Sequence, residues 1–378
     1  MYTCGCKMSI KKRYIASLVL LLCLLGITVV ACSKMSAKPP AAIPSGIVDI
    51  EFDDGLGRGH RIFSLVEKST ADQTRYRLLK KVWQRNRPSF VQTAKTTKIP
   101  KIIHQIWLGP KRPPGFFLKF RESWQKLHPD WEYRLWTDAD LATYDFELRD
   151  LFDQSENYGE KSDILRCEIL LKYGGIYVDA DFECLKPVDE LLNKYDFFAG
   201  IEPPHEIPES SRVLLVSTAL IGTVPAHPIL KRWKTLIRER WKKAETECFT
   251  NIEKVLVRTF LSFGRAVEEK IESSEHTNIV FPSTYFFPIR PESLRKPVEP
   301  PNLIKKVLIA FDFKKDHPFA HVMPETMAVH HFAGTWQKGT NEMMKEVQRE
   351  IIKLKREQAE LAREVRDLKN AKSNEIPN

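Results

Sequence analysis

Apolar residues are distributed along this 378-residue chain in three rhythms. The first is a continuous run from Ile15 to Ala31, uncharged throughout, behind Lys7, Lys11, Lys12 and Arg13. Its length lies at the short edge of a membrane-spanning helix and the long edge of a signal-peptide core. The second rhythm is a series of short β-branched bursts between amphipathic stretches. Lys101 to Trp107 ("KIIHQIW"), "EYRLWTD", "IYVDAD", "YDFFAGIEP" and "LLVSTALIGTVP" read as strands. "PPGFFLKFRESWQKLHPDW" and "YGEKSDILRCEILLKYGG" read as helices, the second ending at a glycine C-cap. Strands alternating with helices predict an α/β layer architecture with a mixed, mostly parallel central sheet. The third rhythm covers about Asn341 to Lys369. There Met344, Val347, Ile351, Leu354, Leu361, Val365 and Leu368 keep a heptad spacing broken by Gln358. A long amphipathic helix is expected, and through it a possible homo-oligomer.

These rhythms divide the chain into four parts. Residues 1–32 are a signal-anchor, or a lipoprotein signal if "VVAC" (Val29 to Cys32) is a lipobox with Cys32 lipidated. Either reading expects a protein held on a membrane, the anchor with its basic end in the cytoplasm. Residues 33–98 read as a stem, Pro, Ala and Ser rich and loose over "SKMSAKPPAAIPSG", with one short helix capped by Ser69 or Thr70 and stopped before Pro88. Residues 99–337 form the folded domain, and 338–378 the helical tail.

Composition adds little. Hydrophobic residues at 43% and charged residues at 29% are ordinary for a globular protein. The formal net charge of +10 suits anionic partners, but much of it lies near the termini. No nucleic-acid partner is expected. Among seven cysteines only Cys167, Cys184 and Cys248 lie in the folded part, with no CxxC pair. Neither a disulfide framework nor a zinc site is implied. A Cys167–Cys184 bond and two buried thiols both stay open.

The candidate chemistry is concentrated in "KSDILRCEILLKYGGIYVDADFECL", residues 161–185. Asp163 and Arg166, three apart on a helix, share a face. Gly174 and Gly175 turn the chain into a strand carrying Tyr177, Asp179 and Asp181. Strand alternation would point Asp179 and Asp181 the same way. Two carboxylates so placed repel unless a cation lies between them, and hard oxygen ligands suit Mg2+ or Mn2+. Ligands in open α/β sheets bind beyond the carboxyl ends of the strands, where Asp181 falls.

On these residues the chain resembles the DXD-containing sugar-transferase family with a GT-A fold. That family includes initiating α-mannosyltransferases, inositol-phosphorylceramide mannosyltransferases and the glucosylating domains of clostridial toxins. The resemblance runs over about residues 98–337, through "IPKIIHQIW", "HPDWEYRLW", "KSDILRCEILLKYGGIYVDAD", "LIGTVPAHPIL" and "HHFAGTW". It implies a GT-A (Rossmann-like) nucleotide-sugar-binding fold. Trp107 is the implied base-stacking residue, and Tyr177 the implied neighbour of the ribose. Asp163 and Arg166 are implied to meet the donor sugar. Asp179 is implied to touch ribose, sugar and metal, and Asp181 to bind the metal directly. His331 is implied as a further metal ligand and Trp336 as a donor to the leaving diphosphate. Two departures stand out. Thr218 replaces a common Asn, and "VRTFLSFGRAV" (257–267) lacks a common Thr-Gly-Pro segment. Both bear on sugar or acceptor preference.

The implied activity is metal-dependent, retaining transfer of a hexose from a nucleotide sugar, GDP-mannose before a UDP-hexose, to a glycan or lipid acceptor. A catalytically inactive, membrane-tethered binding or scaffold protein is the alternative. A haloacid-dehalogenase-type phosphatase fits poorly, because Glu183 stands where that chemistry wants Thr or Val.

Overall fold

The computed structural model describes residues 46–205, 212–248, 250–290, 319 and 322–333. The leader, the heptad tail and Trp336 lie outside the described residues. Among the described residues no helix is long and apolar enough to cross a membrane.

A six-stranded sheet forms the centre: β1 (Ile102–Ile106), β2 (Glu132–Trp136), β3 (Gly175–Val178), β5 (Phe197–Ile201), β6 (Val216–Thr223) and β7 (Asn278–Phe281), in the order β2-β1-β3-β6-β5-β7. β1 runs parallel to β2 and β3, and β5 parallel to β7, while β6 is antiparallel to both β3 and β5. The sheet is therefore mixed and mostly parallel, as the alternating pattern predicts. Strands β3, β5, β6 and β7 are buried along their whole length, as expected of strands covered on both faces.

The segment expected to be a loose stem is largely part of this core. Helix α1 (Thr70–Asn86) buries Leu79, Val82, Trp83 and Asn86 at spacings of three, one and three, one helical stripe. Trp83 is fully buried against the rings of Phe281 and Tyr285. Asn86 donates to the Asn278 carbonyl at 2.8 Å. The reading of residues 33–98 as a linker is thus corrected for the described part, 46–98. Proline-rich composition up to Gly46 obscured an amphipathic stripe that docks on β7. Ser69, the expected cap, accepts from the Asp72 N–H at 3.2 Å. Ser69→Ala is expected to lower stability by about 1 kcal/mol in urea denaturation, a loss that a free linker helix would not register.

Two helices position the reactive end of the sheet. α2 (Gly115–Leu127) turns Phe117, Phe120 and Trp124 inward. Its Trp124 indole donates to the Phe182 carbonyl at 2.9 Å. α3 (Tyr158–Tyr173) is capped by Asn157, whose side chain accepts from Gly159 and Glu160. It ends at Gly174 (φ 63°) and Gly175 (φ 93°). A Cβ on Gly175 would lie 2.6 Å from the Ile102 carbonyl oxygen, so β3 enters the sheet where only glycine fits.

β3 stops at Val178, and here the structure departs from the strand reading of "IYVDAD". Asp179 to Asp181 form a turn, closed by the Phe182 N–H on the Asp179 carbonyl at 3.1 Å. The chain then leaves the central sheet as β4 (Phe182–Cys184), which pairs antiparallel with β8 (Ala328–His330). The two carboxylates share a side through this tight turn, and strand alternation is not the cause.

Candidate active site

α3 brings Asp163 and Arg166 under the turn. Both are buried, and the Arg166 guanidinium lies 3.4 Å from Asp163 and 3.2 Å from Asp179. It also donates to the Thr218 carbonyl at 2.6 Å and stacks 4.1 Å from the Tyr177 ring centre. Burial works against the charge of Arg166, but Tyr177 and the carboxylates of Asp179, Asp163 and Asp181 outweigh it and raise its pKa. Asp163 is shifted the other way from an ordinary ion-paired carboxylate: burial raises its pKa despite Arg166 and the hydroxyl of Thr259. Tyr177, buried in β3, donates its hydroxyl to Asp179 at 2.7 Å. Burial pushes that phenol well above its usual value, so it stays a donor.

The turn itself is held from three sides. The Asp179 N–H donates to the Ala219 carbonyl of β6 at 2.8 Å. The buried amide of Gln105 in β1 donates to the Asp179 carbonyl at 3.2 Å and accepts from the Tyr133 hydroxyl. From the residues just after β8, the His331 N–H donates to the Asp181 carbonyl at 3.0 Å, and the Ala333 N–H to its carboxylate at 2.6 Å.

β8 also settles which histidine meets the pair. His330 Nε2 lies 3.2 Å from Asp181 and 3.8 Å from Asp179. One ligand atom from each of Asp179, Asp181 and His330 falls within 4.8 Å of the others. The reading from the motif placed His331 here, and the structure corrects it by one residue. Strand alternation does separate the two rings, but the register Phe182↔His330 turns His330 toward the turn. His331 goes to the other side, where it meets Glu183 at 3.0 Å and stacks on Phe120 at 4.3 Å between ring centres.

Electrostatics favour a cation at this place. Two carboxylates, from Asp163 and Asp179, flank the Arg166 guanidinium, and the charge of Asp181 adds to theirs. Burial alone would raise the Asp181 carboxyl, but the charge and hydrogen bond of His330 bring it down to about 2. The same contact raises His330 above its usual value although burial opposes it. Among the described residues the other ring nitrogen of His330, Nδ1, is buried and has no hydrogen-bond partner. Two hard carboxylates and one imidazole fit a Mn2+-like ion.

Trp107 follows β1 at the same end of the sheet, partly exposed, its indole donating to the Lys111 carbonyl at 2.7 Å and its ring 5.7 Å from Phe117. The structure therefore gathers Asp163, Arg166, Tyr177 and Asp179 into one ion-paired and hydrogen-bonded group, with His330 lying between Asp179 and Asp181. Thr259 was missed. Its hydroxyl lies 2.6 Å from Asp163, on a single π-helical turn, Leu256–Phe260. That turn occupies the segment that departs from the family pattern, and no local signal in "VRTF" marks it. Cys167 and Cys184 are free, buried thiols, each bonded to a different carbonyl, Leu230 and Lys186.

The chain is similar to several known proteins. The family description "Glycosyltransferase sugar-binding region containing DXD motif" matches residues 116–198. The mannosyl phosphorylinositol ceramide synthase SUR1 of Saccharomyces cerevisiae is 37% identical over 145 residues, 36% of this chain and 35% of that protein. The inositol phosphoceramide mannosyltransferase 3 of Schizosaccharomyces pombe is 32% identical over 146 residues, 37% of each. The chain thus spans about a third of the length of the curated relatives it matches. Among solved structures, the PaToxG glycosyltransferase shares 17% identity at a TM-score of 0.40, over 56% of this chain and 80% of that one. The matched residues 116–198 carry α3, β3, the Asp179–Asp181 turn and all but the first residue of α2.

Proposed function

We propose that this chain is a metal-dependent, retaining glycosyltransferase that moves a hexose, mannose in the first instance, from a nucleotide sugar to a glycan or lipid acceptor at a membrane. The observation that carries the reading is the convergence of Asp179, Asp181 and His330 beside the buried Asp163–Arg166 pair. The names of the matched relatives, a mannosyl phosphorylinositol ceramide synthase and an inositol phosphoceramide mannosyltransferase, support mannose and a lipid acceptor. The apolar run Ile15 to Ala31 supports a membrane anchor.

Asp179, Asp181 and His330 would hold Mn2+ or Mg2+, which supplies charge neutralisation for a diphosphate. Trp107 offers a partly exposed indole face for the nucleobase. Arg166 keeps Asp163 and Asp179 fixed, so their carboxylate oxygens accept hydrogen bonds from donor hydroxyls without reorganising. Trp336 would donate its indole N–H to the leaving phosphate. No side chain here is required to form a covalent intermediate. Front-face attack, with the leaving phosphate taking the acceptor's proton, accounts for retention.

The test is a panel of nucleotide sugars with Mn2+, scored for hydrolysis and transfer. Turnover of GDP-mannose above UDP-hexoses is expected. Binding without turnover of any donor would favour the inactive, tethered binding protein instead.

The histidine assignment has its own test. His330→Ala is expected to weaken Mn2+ binding about tenfold or more, while His331→Ala leaves it within about twofold. The pH dependence follows from the sign of the His330 shift. A protonated imidazole cannot ligate, and the His330 pKa is raised above its ordinary value of 6.5. Mn2+ affinity should therefore fall as pH drops through that raised value, with a proton released on binding at lower pH. In His330→Ala the fall should be absent. An unchanged pH profile by calorimetry would remove His330 from the ligand set.

A further inference from the structure

The π-turn that carries Thr259 is held in place by more contacts than a helix of its length requires. Helix α4 (Pro228–Glu247) packs against a stretch that runs from α5 (Asn251–Val255) into α6 (Leu261–Lys270), and Leu256–Phe260 between them form the π-turn. Such turns are rare, and single ones inside α-helices fall frequently at functional sites. Three side chains secure this one. The fully buried indole of Trp233 in α4 donates to the Thr259 carbonyl at 2.9 Å. The Ser262 hydroxyl donates to the Val257 carbonyl, five residues back, at 2.8 Å. Arg258 lies 4.2 Å over the Trp241 ring of α4 and pairs with Glu245.

The turn delivers two neighbouring side chains to α3. Arg258 faces Glu160 at 3.6 Å, and Thr259 Oγ1 lies 2.6 Å from Asp163 Oδ2. Glu160 and Asp163 are three apart and share a face of α3, so the π-turn meets that face at two points. Thr259 is fully buried. Its hydroxyl has one proton and two acceptors in reach, Asp163 and the Val255 carbonyl at 2.9 Å. The carboxylate is nearer and charged, so it takes the proton.

This bond decides how Asp163 is presented. An Asp carboxylate turns about its last torsion with little intrinsic preference, so its partners set its plane. Arg166 supplies charge more than direction: its Nε lies 3.4 Å from Asp163 Oδ1 and gives its hydrogen to the Ser162 carbonyl. Thr259 also counters the effect of burial on the Asp163 carboxyl more than the Thr218 hydroxyl does. A hexose and its epimer differ in the orientation of one hydroxyl. A carboxylate held in one plane favours one orientation, while a carboxylate free to turn accepts from either.

Resting on the transferase reading above, we propose that Thr259 is a positioning residue of the donor-sugar pocket. Through its hydroxyl the π-turn sets the plane of the Asp163 carboxylate, and with it the choice between epimeric hexoses. Asp163 meets the sugar; Thr259 acts only through Asp163.

Full-length protein with Mn2+ tests this by donor hydrolysis and by calorimetry with GDP. Thr259→Val keeps the shape and removes the hydroxyl. It is expected to lower the kcat/KM preference for GDP-mannose over GDP-glucose about tenfold and to leave GDP affinity within about twofold, because GDP carries no sugar. Thr259→Ser keeps the hydroxyl and should restore most of the preference. If wild type turns over UDP-hexoses instead, UDP-glucose, UDP-galactose and UDP take the same places. If Thr259→Val does not fold, Ser262→Ala loosens the turn without touching Asp163 and should narrow the preference about threefold. Equal turnover of both epimers by wild type overturns the inference, as does an unchanged preference in the folded variant. So does a GDP affinity that falls alongside the preference, or a Thr259→Ser no better than Thr259→Val. Each of these leaves the transferase reading standing, whereas hydrolysis of no nucleotide sugar by wild type sinks both.

Discussion

Asp181→Ala is expected to lower Mn2+-dependent turnover of the nucleotide sugar by about 10³-fold or more, a loss of roughly 4 kcal/mol of transition-state stabilisation. The magnitude follows from the position of this carboxylate. It lies within ligand distance of both Asp179 and His330, and its pKa, about 2, keeps it ionised at any working pH. Removing it leaves two ligands, too few to hold the ion against water. The fold should survive. Asp181 lies in the turn after β3, its backbone carbonyl still accepts from the His331 N–H, and two groups, the Ala333 N–H and His330 Nε2, lose a partner. Circular dichroism and the melting temperature should stay close to wild type, while calorimetry shows Mn2+ affinity lost. Asp181→Asn should fall nearly as far, because the amide keeps the shape and loses the charge. A variant that turns over donor without metal would sink the assignment of Asp181, and with it the role given to His330.

Much of this site was legible in the sequence because its parts are close along the chain. Asp163, Arg166, Gly174, Gly175 and Tyr177 occur within one helix-turn-strand unit, where spacing places side chains, and Asp179 and Asp181 follow at once in the turn that ends it. The β-branched run ending at Trp107 marked β1 for the same reason. What escaped depends on long-range register. His330 and His331 are neighbours, and only the pairing of β8 with β4 decides which one faces Asp181. Thr259 reaches Asp163 from 96 residues away, through a π-turn that no periodicity announces. The stem was misjudged for a different reason. Its first residues are rich in proline and alanine, and that composition hid the stripe ending at Trp83 and Asn86, which is visible only from the position of β7.

The largest effect on stability is expected at Arg166. It is 5% exposed, and it serves Asp163, Asp179, the Thr218 carbonyl and the face of Tyr177 at once. Arg166→Met keeps volume and removes the charge, leaving Asp163 buried without a cation and Asp179 with only His330, 3.8 Å away. Breaking a buried pair from one side costs about 3–5 kcal/mol, because the remaining charge is stranded. The midpoint of urea denaturation should fall accordingly, with the slope unchanged. Arg166→Lys should recover only part, since a point charge cannot fork between a carbonyl and two carboxylates. The diagnostic variant is the double one. Asp163→Asn in the Arg166→Met background removes the stranded carboxylate and should regain stability, a coupling of opposite sign to two independent losses. Mn2+ should also stabilise Arg166→Met by more than wild type if it offsets the exposed charge of Asp179. Wild-type stability in Arg166→Met would mean that this group is held by packing and that its charges contribute nothing. Additive losses in the double variant would mean that Asp163 and Arg166 do not act as a pair, and the donor-sugar role given to them together would then have to be divided between separate residues.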